Sequence, residues 1–391
     1  MSMRALLIGP TGHGGEGVYV ETLRQAPPPG VSYDVAAGFH SSACSARCVY
    51  PLEVALNKIV RPATIPDMGF RALVLRERYD LVHVHAHPAA IWRLGNTPLV
   101  MSEGSSSAVY LGDYLGWTAQ TVATGYARST RIYKALGIHD RLLNLRRVDR
   151  VYVFSEWARQ INLSWGADPA KIAVIYPGFP TPPLTPRPEP PEPFTFLFVG
   201  TDFERKGGHD VIEAFDLIAR DLPEVHLVLA GFDPLRPNPD LRRHAWVSPQ
   251  RRARVEAMIA ELERRGRLTR LAHVSHARLT AELFPQADAF VMPTRAEGFG
   301  FTNVEAMSFG LPVITSTAGP AGEIVMHGQT GLLVSPGEVG ELASAMAAMA
   351  TFPARARELG VAGRERFEER FTLHRFRAEL AALYRQVSES H

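Results

Sequence analysis

The sequence predicts an α/β protein made of two doubly wound halves, and three observations carry that prediction. Short apolar runs alternate with helical patterns through nearly all of the chain, the order required by parallel strands with crossover helices. The 391 residues exceed the commonest single-domain size and fit two domains of roughly 150–200 residues each. Between the two series of strands lies "YPGFPTPPLTPRPEPPEPF", with proline at nearly every second position. Lacking backbone donors there, it forms neither a helix nor a central strand and reads as an extended, semi-rigid connector.

In the first half, strands are expected at "RALLIG" (4–9), "YDVAAG" (33–38), "DLVHVHA" (80–86), "PLVMSE" (98–103), "RVYVFS" (150–155) and "IAVIYP" (172–177). In the second half they are expected at "FTFLFVG" (194–200), "VHLVLAG" (225–231), "LAHVSH" (271–276), "AFVMPT" (289–294) and "PVITST" (312–317). The last forty residues read as helices, with Phe367, Phe371, Leu380 and Leu383 available to dock on either domain. The expected division is a first domain at 1–177, a linker at 178–193, a second domain at 194–370 and a closing helix at 371–391 that can pack back on the first.

The formal charge of +2 excludes a nucleic-acid binder with a whole-domain basic footprint. Residues 1–177 nevertheless carry 18 Lys/Arg against 13 Asp/Glu, and most of the surplus lies at 126–150, including Arg128, Arg131, Lys134, Arg141, Arg146, Arg147 and Arg150. A solvated helix face, an anionic acceptor or an acidic lipid surface would each use such a run. Cys44 and Cys48 have no second Cys/His pair at ligand spacing, so free thiols are expected. No segment approaches the ~20 apolar residues of a membrane span, and the N-terminal apolar run is too short for a signal peptide. A cytoplasmic protein is expected, with the 126–150 run as its candidate contact to the inner face of the membrane.

The strand at 289–294 runs into Glu297, Gly298, Phe299 and Gly300, and a helix is expected from near Thr302 to near Gly310. In open α/β sheets, ligands bind at such carboxyl ends of strands. The glycines permit close backbone approach, and the helix start offers free N–H groups to an anion such as phosphate. Thr302 to Glu305 also reads as a capping box, which would commit the Glu305 carboxylate to the Thr302 N–H. Spacing alone leaves capping and ligand contact open.

These residues belong to a wider pattern: "FLFVGTDFERKGGHDVIEAF", then "PQADAFVMPTRAEGFGFTNVEAMSFGLPVITSTAGPAGEIVMHGQTGLLV". With its two glutamates eight positions apart around G-F-G, and G-L-P and G-x-T-G-L-L-V after them, the chain closely resembles the retaining, nucleotide-sugar-dependent glycosyltransferases of family 4. Those enzymes adopt the GT-B fold, two Rossmann-like domains facing each other across a cleft. The resemblance implies that Glu297 lies against the donor sugar and Glu305 takes the ribose hydroxyls. It implies that the loop formed by Gly298, Phe299, Gly300, Phe301 and Thr302 cradles the donor, which is UDP-, GDP- or ADP-linked. It implies no further cofactor and no metal; no D-x-D motif is placed to hold one.

Lysine is scarce, four against thirty-eight arginines, and Lys206 in "GTDFERKGG" is the one lysine after the linker. A compact ammonium at a helix start suits a diphosphate, and the resemblance puts Lys206 on the donor's phosphates. The family's usual arginine after the strand glycine is Thr201 here, so Arg205 is the candidate second cation.

Gly12, Gly14 and Gly17, with Asp34 further on, formally match a dinucleotide fingerprint. A nicotinamide-dependent oxidoreductase built on 12–34 would follow from that match alone. The resemblance instead reads Gly14 and Gly15 as a backbone cradle for the donor phosphates.

His83, His85 and His87 alternate along one strand; the first two read as core residues, and His87, at the strand end, as an acceptor-side candidate. Family members often carry a histidine where this chain has Glu103, which is therefore the second acceptor-side candidate. The reading is a retaining glycosyltransferase of unidentified acceptor (glycan, lipid-linked or small molecule). A non-catalytic nucleotide-sugar binder, an epimerase or a phosphorylase are the alternatives.

Overall fold

A computed structural model describes residues 2–10, 15–37, 71–75, 77–85, 89–92, 95–104, 118, 120, 124, 131, 135, 148–164, 167–184, 193–231, 247–272 and 274–391. The chain divides into two compact units, one reaching Gly178 and including Leu373–His391, the other holding Phe179–Thr372.

The first unit is built on a six-stranded parallel sheet in the order β2-β1-β4-β6-β7-β8. Its strands are β1 (Met3–Gly9), β2 (Val31–Ala37), β4 (Leu81–His85), β6 (Leu99–Glu103), β7 (Arg150–Val153) and β8 (Ile172–Val174). A separate parallel pair joins β3 (Arg71–Val74) to β5 (Ala89–Trp92); neither strand is among those expected from the sequence. Because successive side chains alternate between faces, Leu6, Ile8, Val82, Val84, Met101 and Val153 form one apolar layer with Ala158 of helix α2 (Glu156–Ser164).

The opposite face is polar and equally buried. His83, His85, Ser102 and Tyr152 lie there against Tyr19 of α1 (Gly15–Gln25) and Tyr384 of the closing helix at Leu373–Glu389. Ser102 Oγ is 2.7 Å from His83 Nε2 and 2.8 Å from His85 Nδ1. Tyr384 Oη is 2.8 Å from His83 Nδ1 and 2.7 Å from Tyr33 Oη. The expectation of core histidines is met: burial, with His85 alongside, holds His83 well below its ordinary pKa. Leu380 and Leu383 of the closing helix are buried in this unit, whereas Phe367 and Phe371 are buried in the other.

The second unit repeats the plan with the parallel order β11-β10-β9-β12-β13-β14. The strands are β9 (Phe194–Val199), β10 (Val225–Ala230), β11 (Leu268–Leu271), β12 (Ala289–Met292), β13 (Val313–Ser316) and β14 (Gly331–Val334). The helices are α3 (Gly208–Asp221), α4 (Pro249–Arg264), α5 (Phe301–Ser308), α6 (Val339–Thr351) and α7 (Pro353–Arg370), and the helix at Leu373–Glu389 is α8. Strands such as β12, buried along their whole length, read as continuous apolar runs because helices cover both faces.

Two sequence expectations are corrected. The strand expected at 271–276 ends at Leu271, and Ser275 instead caps a short helix, accepting a hydrogen bond from the Arg278 N–H at 3.2 Å. The "GLLV" segment is a sixth strand, β14, at the edge of the sheet.

Candidate functional site

In the second unit, β9 and β12 are neighbours from which the strand order runs in opposite directions, β10 and β11 to one side and β13 and β14 to the other. The carboxyl ends of two such strands form the crevice in which open α/β sheets bind ligands. The loop after β9 carries Asp202, Arg205 and Lys206, and the loop after β12 carries Glu297.

Hydrogen bonds tie the two loops together. Arg295 N donates to the Arg205 carbonyl at 2.7 Å, and Arg205 Nη1 returns a bond to the Ala296 carbonyl at 2.7 Å. Arg205 Nε donates to Asp202 at 2.9 Å. The Lys206 ammonium pairs with Glu297 Oε2, while Glu297 Oε1 accepts the Gly298 N–H at 3.1 Å. Arg205 lies 3.9 Å from the same carboxylate. The side chains of Arg205, Lys206 and Glu297 are only 13%, 14% and 10% exposed, so the charges are largely desolvated yet reachable.

Burial raises the Glu297 carboxyl, but Lys206 and Arg205 outweigh it and hold the group below its ordinary range. Burial pulls Lys206 below its ordinary range, and Arg205 adds to this against the opposing pull of Glu297. Lys206 is thus kept charged by Glu297 more than by water.

Glu297 is also fixed from behind. Gly319, with φ +61°, passes so close that a Cβ there would sit 2.3 Å from the Glu297 carbonyl oxygen.

α5 starts at Phe301, with Gly300 as its N-cap in the left-handed region and no side-chain cap. The capping box, one of the two readings the spacing left open, does not form: Thr302 lies inside the helix. Glu305 faces His276 instead, with His276 Nε2 at 2.6 Å from Glu305 Oε1. Phe299 is buried against Phe301 and Phe371, and Phe301 also meets Phe179, so Phe299 offers a ligand its backbone only. Gly298 and Gly300 border the Glu297 carboxylate and the start of α5.

In the first unit, Glu103 ends β6 and is buried. Gly15 opens α1. Gly14 and His87 lie outside the described residues, as do Cys44, Cys48 and linker residues 185–192. So do Arg128, Lys134, Arg141, Arg146 and Arg147 of the basic run. Among the described residues, no three His, Cys, Asp or Glu side chains cluster as a metal site. No described helix is long and apolar enough to cross a membrane.

Sequence reasoning missed Asp202 and Gly319, and reached His276 only as part of the segment 271–276, which the family resemblance puts near the donor's base. The only local signal was Ser275 as an N-cap before His276 and a Gly-Pro pair at 319–320.

Residues 185–366 match the family model described as glycosyl transferases group 1, and residues 14–182 match that of glycosyltransferase family 4. The chain is 30% identical over 319 residues to the glycogen synthase of Mycobacterium tuberculosis, covering 78% of this chain and 69% of that protein. It is 27% identical over 285 residues to the alpha-maltose-1-phosphate synthase of Mycolicibacterium smegmatis, covering 70% of each. Among solved structures, the sucrose-phosphate synthase of Thermosynechococcus elongatus superimposes with a TM-score of 0.70 at 23% identity, covering 100% of both chains. Anabaena HepE, in complex with UDP and glucose, gives 0.64 at 18% identity over 97% of this chain and 99% of that one. These two structures establish the likeness of fold.

Proposed function

Because this chain belongs to the group 1 glycosyl transferases and is a glycosyltransferase of the GT-B fold, we propose that it transfers a sugar from a nucleoside diphosphate sugar to an acceptor hydroxyl with retention of anomeric configuration. The donor binds the second unit and the acceptor the first. The observation that carries this reading is the Lys206–Glu297 pair at the ends of β9 and β12, beside the start of α5.

An ammonium, a guanidinium and the first N–H groups of a helix converge where a diphosphate can be held. Arg205 and Lys206 offset the charge that develops on the leaving diphosphate. Preorganised stabilisation of this kind is commonly the largest catalytic contribution. Glu297 orients the sugar, and Glu305 takes the ribose hydroxyls. The bond between the anomeric carbon and the diphosphate oxygen breaks, the acceptor oxygen attacks from the same face, and its proton passes to the departing phosphate. The protein's own cations supply the positive charge for departure, so the reading requires no divalent metal. UDP leads the candidate donors, since HepE was solved with UDP, with GDP and ADP next.

Glu103 and His87 are the acceptor-side groups of this reading. The sequence charge at 126–150 is where an anionic acceptor or acidic lipid would be met. The test is incubation with UDP-, GDP- and ADP-linked hexoses while free nucleoside diphosphate is measured. Slow donor hydrolysis is expected with one of them, and its absence with every donor, from protein verified as folded, contradicts the proposal.

A further inference from the structure

We propose that His276 is a positioning residue for the donor's ribose, its imidazole fixing the Glu305 carboxylate in the orientation that accepts two ribose hydroxyls and, when protonated, offsetting that carboxylate's charge beside an anionic ligand. The inference rests on the assignment of Glu305 to the ribose.

The pair is held by packing on both sides. Ser275 caps the His276–Arg278 turn, and Thr280 Oγ1 donates to the His276 carbonyl at 3.0 Å. The π-helical turn Leu279–Leu283 that follows leads to Phe284, fully buried and stacked on Phe309 at 5.1 Å between ring centroids. Phe309 is the C-cap of α5, so the element carrying His276 is fixed against the helix carrying Glu305. A 2.6 Å contact therefore joins two elements whose spacing the core already sets.

The carboxylate retains capacity for a ligand. It has two oxygens and about four lone-pair directions, and His276 takes one on Oε1. The Glu305 side chain is 15% exposed and that of His276 55% exposed. Among the described residues, His276 is the ion-pair partner of Glu305; the neighbouring charges, Arg278 and Glu282, pair with each other at 3.0 Å.

Charge gives the contact a direction. The bond from Glu305 raises the His276 pKa above its ordinary value, burial opposes this, and the Glu305 charge adds to the rise. Glu305 stands four residues from the start of α5, about 6 Å along the axis, so its charge lies near any phosphate docked at that helix start. Protonated His276 offsets this repulsion. By linkage, nucleotide affinity contributed by His276 is greatest below its titration and declines as pH rises through it.

The test measures binding of UDP, GDP and ADP to the full chain and to His276→Ala and His276→Gln, from about pH 6 to about pH 9. The nucleotide that binds wild type best is then compared with its 2′-deoxy counterpart. His276→Ala is expected to weaken the ribonucleotide about tenfold, the deoxy form less, so that discrimination between them shrinks. His276→Gln keeps an amide donor and should restore much of that discrimination, while the wild-type to variant affinity ratio falls as pH rises, because only the wild type titrates at this position. Titration of the phosphate itself is common to all three proteins and cancels in the ratio. Variants that bind with wild-type affinity, discrimination and pH profile overturn the role of His276 while leaving the proposed function intact. Failure of the wild type to bind any of the three nucleotides overturns both.

Discussion

Lys206 and Glu297 are 91 residues apart in sequence and form a largely buried ion pair across the carboxyl ends of two neighbouring strands. Removing Lys206 leaves the Glu297 charge largely desolvated, with Arg205 at 3.9 Å offsetting it only in part. Lys206→Ala should therefore destabilise the protein by about 3 kcal/mol and reduce transfer at least about 100-fold. The double variant Lys206→Ala/Glu297→Ala should recover much of the stability and none of the activity. Urea denaturation and initial rates on the same preparations separate the two effects.

Gly319 packs its backbone on the Glu297 carbonyl. Gly319→Ala introduces a Cβ at 2.3 Å from that oxygen and places it on a residue with φ +61°. A loss of about 2 kcal/mol is expected, together with a fall in kcat from displacement of Glu297. Unchanged melting and turnover would show that the loop accommodates the methyl group without moving the glutamate.

Asp210, 1% exposed, pairs with both Arg251 and Arg295, and Arg295 belongs to the same loop as Glu297. Asp210→Ala leaves two guanidinium groups without this partner in a largely buried setting. Destabilisation of about 3 kcal/mol is expected, and Asp210→Glu should cost less. Chemical denaturation of both variants checks the order.

Burial, reinforced by Arg251 and Arg252, lowers His209 to about 4 from 6.5. Between those values the unfolded chain binds a proton that the native chain does not. Stability therefore falls as pH drops from about 6.5 to about 4, by up to about 1.4 kcal/mol per unit from this group, and does not change through it above about pH 7. His83, lowered well below its ordinary value by burial, acts in the same direction. His209→Gln should reduce the slope of unfolding free energy against pH in this window, as measured by urea titrations at several pH values.

The alternation of strands and helices was legible because burial on both faces writes strands such as β12 as unbroken apolar runs, with β9 interrupted only by Thr195. β11 was misplaced because it is an edge strand with Arg270 and Thr269 in it, whereas the apparent alternation of "LAHVSH" runs through Leu271 into a Ser275-capped turn. Glu297, Glu305 and Lys206 became candidates through the family resemblance, with lysine scarcity an added hint for Lys206. That Glu305 does not cap α5 was not legible, because it turns on Gly300 taking the N-cap position. His276 lies 29 residues before Glu305, and no local pattern encodes a contact made through the stacking of Phe284 on Phe309. Phe299 sits in a motif associated with ligand binding, yet its burial among Phe301 and Phe371 makes its side chain core.

The central claim is transfer from a nucleoside diphosphate sugar with retention, driven by Lys206 and oriented by Glu297. Its most direct measurement is proton NMR of the first sugar product formed from an α-linked donor, followed for wild type and Lys206→Ala. The account predicts an α-configured product before any mutarotation and loss of its formation in the variant. A β-configured first product, or formation at the wild-type rate without the lysine, would contradict it.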